Sequence, residues 1–398
     1  MPPVTATPPV TPSHASPLAR IALLAYLLLI IYASWFPFSG WRDVGLAPFE
    51  YLWAPLPKYW TKFDALINIA GYIPFGMLIV YALHPWVRKA GAVTLAIVAG
   101  SLLSGTMESV QQYLPSRVAS MLDFYTNVGG TCIGALLAAW SATALLERGR
   151  LRLLCQQWFQ HDASSGMILL ALWPLAQIYP QGYLFGHGQI VPILSDWISE
   201  LLSNWLSDWH SDLLSVPVQL ETLLGLDPEP SLERYWLLET LITASGLCGA
   251  VLLLHCVLRK GAPKVRLALL LIGAALVIKS LANALLFAPE NAFAWLTTGA
   301  RGGLLVAALM LPGLIYAQAA IQRRLALLML TVSLLAVNSV PANPYFVATL
   351  QAWVQGKFLN FNGAAQFLSL LWPFLTLWFL WRTLRHAKRQ PKQQLSKT

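Results

Sequence analysis

An all-α, polytopic membrane protein is the fold class this sequence predicts, and three observations predict it. Of 398 residues, 57% are hydrophobic and only 11% charged, against roughly a quarter charged in ordinary soluble domains. The mean hydropathy is +0.59. The apolar residues also gather into runs of roughly 20, the length that crosses a bilayer as a helix. Such a chain could fill a large core but lacks the polar surface to coat it in water. Helices follow because a backbone in lipid must satisfy its own hydrogen bonds.

Residues 1–18, rich in Pro, Thr and Ser, read as a disordered cytoplasmic tail. About ten spans follow, near 19–38, 64–84, 90–112, 124–146, 166–185, 236–258, 265–288, 302–321, 325–341 and 364–384. The first is too long an apolar run, and too weakly charged ahead of it, for a cleaved signal peptide. Pro74, Gly76, Pro174, Pro312 and Pro373 fall inside spans, where membrane helices tolerate them. Lys and Arg set the orientation: with both termini cytoplasmic, 18 of them lie inside and 7 outside, Lys279 being within a span. The net charge of +9 is then a matter of topology and inner-leaflet contact, and no nucleic-acid partner is implied.

Domain organisation follows from the spacing. Residues 19–148 hold a four-helix transmembrane domain, 149–165 a basic cytoplasmic connector, 166–384 a six-helix transmembrane domain and 385–398 a basic cytoplasmic tail. The outer loop 186–235 contains "ILSDWISELLSNWLSDWHSDLL", where Leu194, Trp197, Ile198, Leu201, Trp205 and Trp209 recur at helical spacing opposite Ser, Asp, Glu and Asn. This predicts an amphipathic helix over 193–214, lying on the outer leaflet or capping the bundle. The four cysteines (132, 155, 248 and 256) have no metal-ligand spacing, so neither a disulfide framework nor a zinc site is implied.

The polar residues inside so greasy a chain carry the functional argument. The second span starts outside with Asp64 and Asn68 in its first two turns. The third ends outside with Glu108, Gln111 and Gln112 on one face, and the fourth starts outside with Asp123 and Asn127 four apart. Three helices thus bring acids and amides to one depth at the outer boundary, with Arg117 in the loop between two of them. Asp64 and Asp123 suit helix N-caps, with the nearby glycines letting helices pack closely. Glu108 lies a turn inside its span, where a charge normally faces a partner or a cavity. A Glu108–Arg117 or Asp123–Arg117 pair fixing the loop is one outcome; an array holding a polar ligand is the other. In the second half, Glu239, Lys279 and Asn283 form another intramembrane polar cluster in which Lys279 can snorkel toward Glu239. The last outer loop interleaves aromatics with amides, as saccharide sites and ordinary aromatic belts both do. His187 and His210 lie outside without an evident partner.

In residues about 20–146, Asp64-x3-Asn68-x5-Pro74-x-Gly76, Glu108-x2-Gln111, the Arg117 loop and Asp123-x3-Asn127-x2-Gly130 follow one another between four spans. That stretch resembles the VanZ-like family, bacterial membrane proteins named for a factor in teicoplanin (glycopeptide antibiotic) resistance. The resemblance covers about a third of the chain and implies a multi-pass protein of the bacterial inner membrane acting in the cell envelope; it implies no established reaction.

Three function classes stay open. The leading one is recognition of a lipid-linked saccharide or lipophilic glycopeptide at the outer leaflet through Asp64, Asn68, Glu108, Gln111, Arg117, Asp123 and Asn127. A membrane enzyme on a lipid-linked saccharide would use Glu108 or Asp123 as acid or base with Arg117 as electrostatic stabiliser. A transporter would use Glu108 and Lys279. No phosphate-binding glycine loop, HExxH or GxSG nucleophile elbow accompanies these residues, so catalysis is not required, and no cofactor or metal is expected. The partners implied are the lipid bilayer and the outer-face ligand.

Overall fold

The computed structural model describes residues 16–36, 38, 40–43, 45, 47–55, 60, 62–115, 117–142, 157–160, 162–195, 198, 231–340 and 359–395. The chain divides into two compact units, Met1–Gln157 and Trp158–Thr398. All long elements among the described residues are helices.

The first unit holds α1 (Pro17–Trp35), α2 (Lys62–Leu83), α3 (Lys89–Gln111) and α4 (Met121–Ala142). Helix α1 starts where the sequence supplies its two start signals: the Ser16 hydroxyl accepts from the Ala19 amide, and Pro17 occupies the first helical position. Helices α2 and α4 form the tightest pair. Gly130 and Gly134, one turn apart on α4, lie against the carbonyls of Ile69 and Ile73, one turn apart on α2; Gly76 meets the carbonyl of Thr131 in return. A Cβ at any of these three positions would collide with backbone, so the pair closes only because they are glycine. The Tyr26 hydroxyl ties α1 to α2 by donating to the Gly71 carbonyl at 2.7 Å. A single 3-10 turn, Glu50–Leu52, tucks the buried Tyr51 onto α3, where its hydroxyl donates to the Gly105 carbonyl.

The second unit holds α5 (Ser164–Leu175), α6 (Leu232–Val257), α7 (Lys264–Leu286), α8 (Thr298–Ile315), α9 (Ala319–Asn338) and α10 (Leu359–Leu395). Helix α6 is its centre: every residue from Ile242 to Val257 is buried. Helix α8 reaches it through Gly299 and Gly303, which face Glu239 and Thr243. Helix α9 runs antiparallel to α6, with Leu330 against Gly249 and Ser333 against Gly246.

Among the described residues, eight helices are long and apolar enough to cross a membrane: α1, α2, α3, α6, α7, α8, α9 and a 22-residue stretch of α10, Ala364–Arg385. The polytopic all-helical class stands, and two of the ten expected spans differ. Helix α4 exists, but its Asp, Asn, Thr and Gly residues keep it out of the eight. The span expected at 166–185 is helical only to Leu175, a 12-residue element. Beyond it Pro180, Gly182, Gly186 and Gly188 break the pattern, and 176–190 is irregular. That segment still continues along the unit. Phe159 and Gln160, just before α5, bond to the C-terminal end of α6 at Cys256 and Leu258. At the other end, the Asn338 side chain accepts from the Ile190 and Val191 amides and donates to the Gly188 carbonyl. Since α6 and α9 are antiparallel, these are opposite ends of the unit. Non-helical backbone at such depth is tolerated where it is buried in protein.

Residues 1–15, 143–156 with the first part of the connector expected at 149–165, most of the amphipathic helix expected at 193–214, the loop 341–358 and residues 396–398 lie outside the described residues.

Candidate functional site

The polar residues of the first unit come from four places that its fold brings together. Asn68, two turns into α2, donates from Nδ2 to Asp123 Oδ1 at 2.7 Å. Asp64 is exposed one turn earlier on α2, and its charge couples to that of the half-buried Asp123. The Asn68–Asp123 bond joins the starts of α2 and α4.

Glu108 is buried, 3% exposed, near the end of α3. Its Oε2 accepts from the backbone amide of Ser120 at 3.0 Å, and the Ser120 hydroxyl accepts from the Leu122 amide. The acid therefore holds the entry to α4, satisfying an amide that a helix start would leave orphaned. Deeper in, Asn127 Nδ2 donates to Ser104 Oγ at 3.1 Å, while its buried Oδ1 finds no protein donor.

Arg117 differs from the pairing considered from the sequence. Its Nε and Nη2 donate to the Phe36 carbonyl at 3.1 and 2.8 Å, and Nη2 also reaches the Ala33 carbonyl at 3.2 Å. Gln111 Nε2 donates to the neighbouring Ser34 carbonyl at 2.8 Å. Both side chains thus cap the C-terminal end of α1, where carbonyls lack intrahelical partners and the helix dipole favours a cation. Burial pushes the guanidinium down to about 10, with the charge of Glu108 opposing that shift. It stays a cation at neutral pH, committed to backbone.

Six of the seven candidate residues are therefore linked by these bonds into the ends of α1 to α4, and Asp64 stands near enough to Asp123 for the two like charges to repel. The reading from the sequence missed Ser104 and Ser120 and the carbonyls of Ala33, Ser34 and Phe36. The serines sit at helical spacing from Glu108 and directly before Asp123's helix, a signal that could have found them; carbonyls leave none.

Residues 23–142 match the family model described as VanZ/LLP1. The chain carries a VanZ-like domain. No curated protein and no solved structure matches it. The matched span runs from within α1 to the end of α4 and includes all seven residues of the array. Its apolar helices and those of the second unit make this a membrane protein.

The second cluster lies in the other unit. Glu239, Lys279 and Asn283, from α6 and α7, line one cavity of about 30 Å³ with Gln181, Trp295 and Thr297, enough for a water molecule. Lys279, 2% exposed, donates to the Tyr179 carbonyl at 3.3 Å, and the Thr297 hydroxyl donates to Glu239 Oε1. The irregular segment thereby supplies a partner for Lys279 that no helix-by-helix reading would offer.

His187, which showed no partner in the sequence, is buried in an amide network. Gln177 and Gln181 each approach one ring nitrogen at 2.7 Å. A neutral imidazole has one donor and one acceptor, so one glutamine must turn its oxygen to the ring. The Gln181 amide nitrogen is already aimed at the Ala176 carbonyl and Ser369 Oγ. Gln177 Nε2 is likewise aimed at the Trp173 carbonyl, so both amides are anchored to the backbone as well as to the ring. Among the described residues, no three His, Cys, Asp or Glu side chains gather as a metal site needs.

Proposed function

We propose that the VanZ-like unit recognises a polar, donor-rich group at the outer boundary of a bacterial inner membrane, and that its ligand is a lipid-linked saccharide or a lipophilic glycopeptide. One observation carries the reading. Arg117 donates to the end of α1, while Asp64 and the hydrogen-bonded Asn68–Asp123 pair stand together at the starts of α2 and α4. Carboxylates accept from the hydroxyl and amino groups of a ligand, and the neighbouring amide both donates and accepts. Asp64 is exposed and Asp123 half-buried, so a ligand can reach them, whereas Glu108 beneath is occupied by Ser120. The protein binds and need not catalyse; a role in glycopeptide resistance or envelope polysaccharide follows from which ligand it takes.

The test uses the full chain in nanodiscs, titrated with a polyprenyl-linked disaccharide and with teicoplanin. Saturable binding of one of them, weakened at least tenfold by Asp123→Asn, is expected. Equal affinity in wild type and variant, with both folded, overturns the reading.

A further inference from the structure

The irregular segment of the second unit walls another cavity, of about 170 Å³, which shares Pro180, Gln181 and Gly182 with the cavity of Lys279. Its polar lining is Tyr179, Gln181, Gln189, Gln366 and Ser369; Ile193, Leu370 and two prolines supply the apolar part. No charged side chain stands among the described residues that line it. We propose that this cavity is a binding site for a neutral, hydroxyl-rich molecule the size of one sugar ring.

Three features argue for that chemistry. First, side-chain amides and hydroxyls both donate and accept, as sugar hydroxyls do, so each can meet a hydroxyl in either role. Secondly, one wall is already committed. Gln181 is 9% exposed, and its amide nitrogen is turned toward the Ala176 carbonyl, Ser369 and His187. Its buried Oε1 has no protein donor. That hydrogen-bond network fixes the wall in place, so the cavity is formed before a ligand arrives. Thirdly, prolines, Ile193 and Leu370 give the apolar faces against which the C–H side of a sugar ring packs. An ionised ligand would enter a site without a counter-charge, which is costly.

The same ring could arrive free or as the headgroup of a glycolipid, and the experiment separates the two. The full chain in nanodiscs is titrated with radiolabelled glucose and with glucuronate; separately, monoglucosyl-diacylglycerol is added to the nanodisc lipid and its contact with the protein read by cross-linking. The variants are Gln189→Leu and Gln366→Leu, which line the cavity at half-buried positions and spare the Gln181 network; melting temperature reports their folding. Saturable binding of glucose, of the glycolipid, or of both supports the site, and which one binds names the source. Each variant is expected to weaken it at least tenfold, and glucuronate to bind at least tenfold less well than glucose. The absence of saturable binding for both glucose and the glycolipid, which would leave water as the only occupant, overturns the proposal. So does binding that both folded variants retain unchanged.

Discussion

At the residue scale, Arg117 shows how a cation amid carboxylates can serve the backbone instead. Its guanidinium makes three donations to the last turn of α1, and hydrogen bonds to a charged group contribute about 1.5–3 kcal/mol each. Arg117→Ala should therefore lower the melting temperature of the purified protein clearly. Arg117→Lys should recover only part of the loss, because an ammonium cannot reproduce the planar fork. Glu108→Ala should destabilise by about 1–3 kcal/mol by orphaning the buried Ser120 amide, whereas Glu108→Gln keeps an acceptor and should cost less. A melting temperature equal to wild type in Arg117→Ala would show that the α1 clamp is not needed for stability. The acids and amides themselves were legible: a charge one turn inside a span has few reasons to exist. Their partners were not, because helix-end carbonyls and a serine amide have no letter in the sequence that marks them.

At the element scale, the glycines separate into those that pack and those that do not. Gly130 and Gly134 press on α2 backbone, while Gly129 faces open space. Gly134→Ala should destabilise by about 1–3 kcal/mol through forced separation of α2 and α4. Gly129→Ala should be neutral or stabilising by up to about 1 kcal/mol from helix propensity. Thermal unfolding of the two variants checks the contrast, and equal effects would contradict the close α2–α4 contact. Helix α5 marks where hydropathy stops being informative. The run 166–185 is apolar enough for a span, but burial in protein demands apolar residues as lipid does, so an irregular buried segment and a helix read alike. Pro180 and Gly182 within that run, and Gly186 just past it, are the legible warning, since each weakens a helix interior.

At the scale of the whole molecule, periodicity and length placed most of the spans within a few residues, and the resemblance expected over 20–146 meets a family match at 23–142. What the sequence hid is the crowding of polar groups inside the second unit, since that depends on which faces of α6, α7 and the irregular segment meet. The proposed orientation, with the basic ends of α7 (Lys264, Arg266), α9 (Arg323, Arg324) and α10 (Arg382, Arg385) cytoplasmic, predicts that a cysteine-free variant carrying Gly261→Cys is labelled only from the cytoplasm and one carrying Glu290→Cys only from outside. Labelling of both from one side would sink it. The central claim, that carboxylates at the starts of α2 and α4 act together on a ligand, is tested most directly by a double-mutant cycle of Asp64→Asn and Asp123→Asn. It is read as affinity of the full chain in nanodiscs for the polyprenyl-linked disaccharide or teicoplanin, alongside melting temperature. The prediction is that each single variant loses tenfold or more in affinity, that the double loses less than the product of the two, and that all three melt close to wild type. Undiminished affinity in the double variant, or affinity losses that appear only as the protein unfolds, would contradict it.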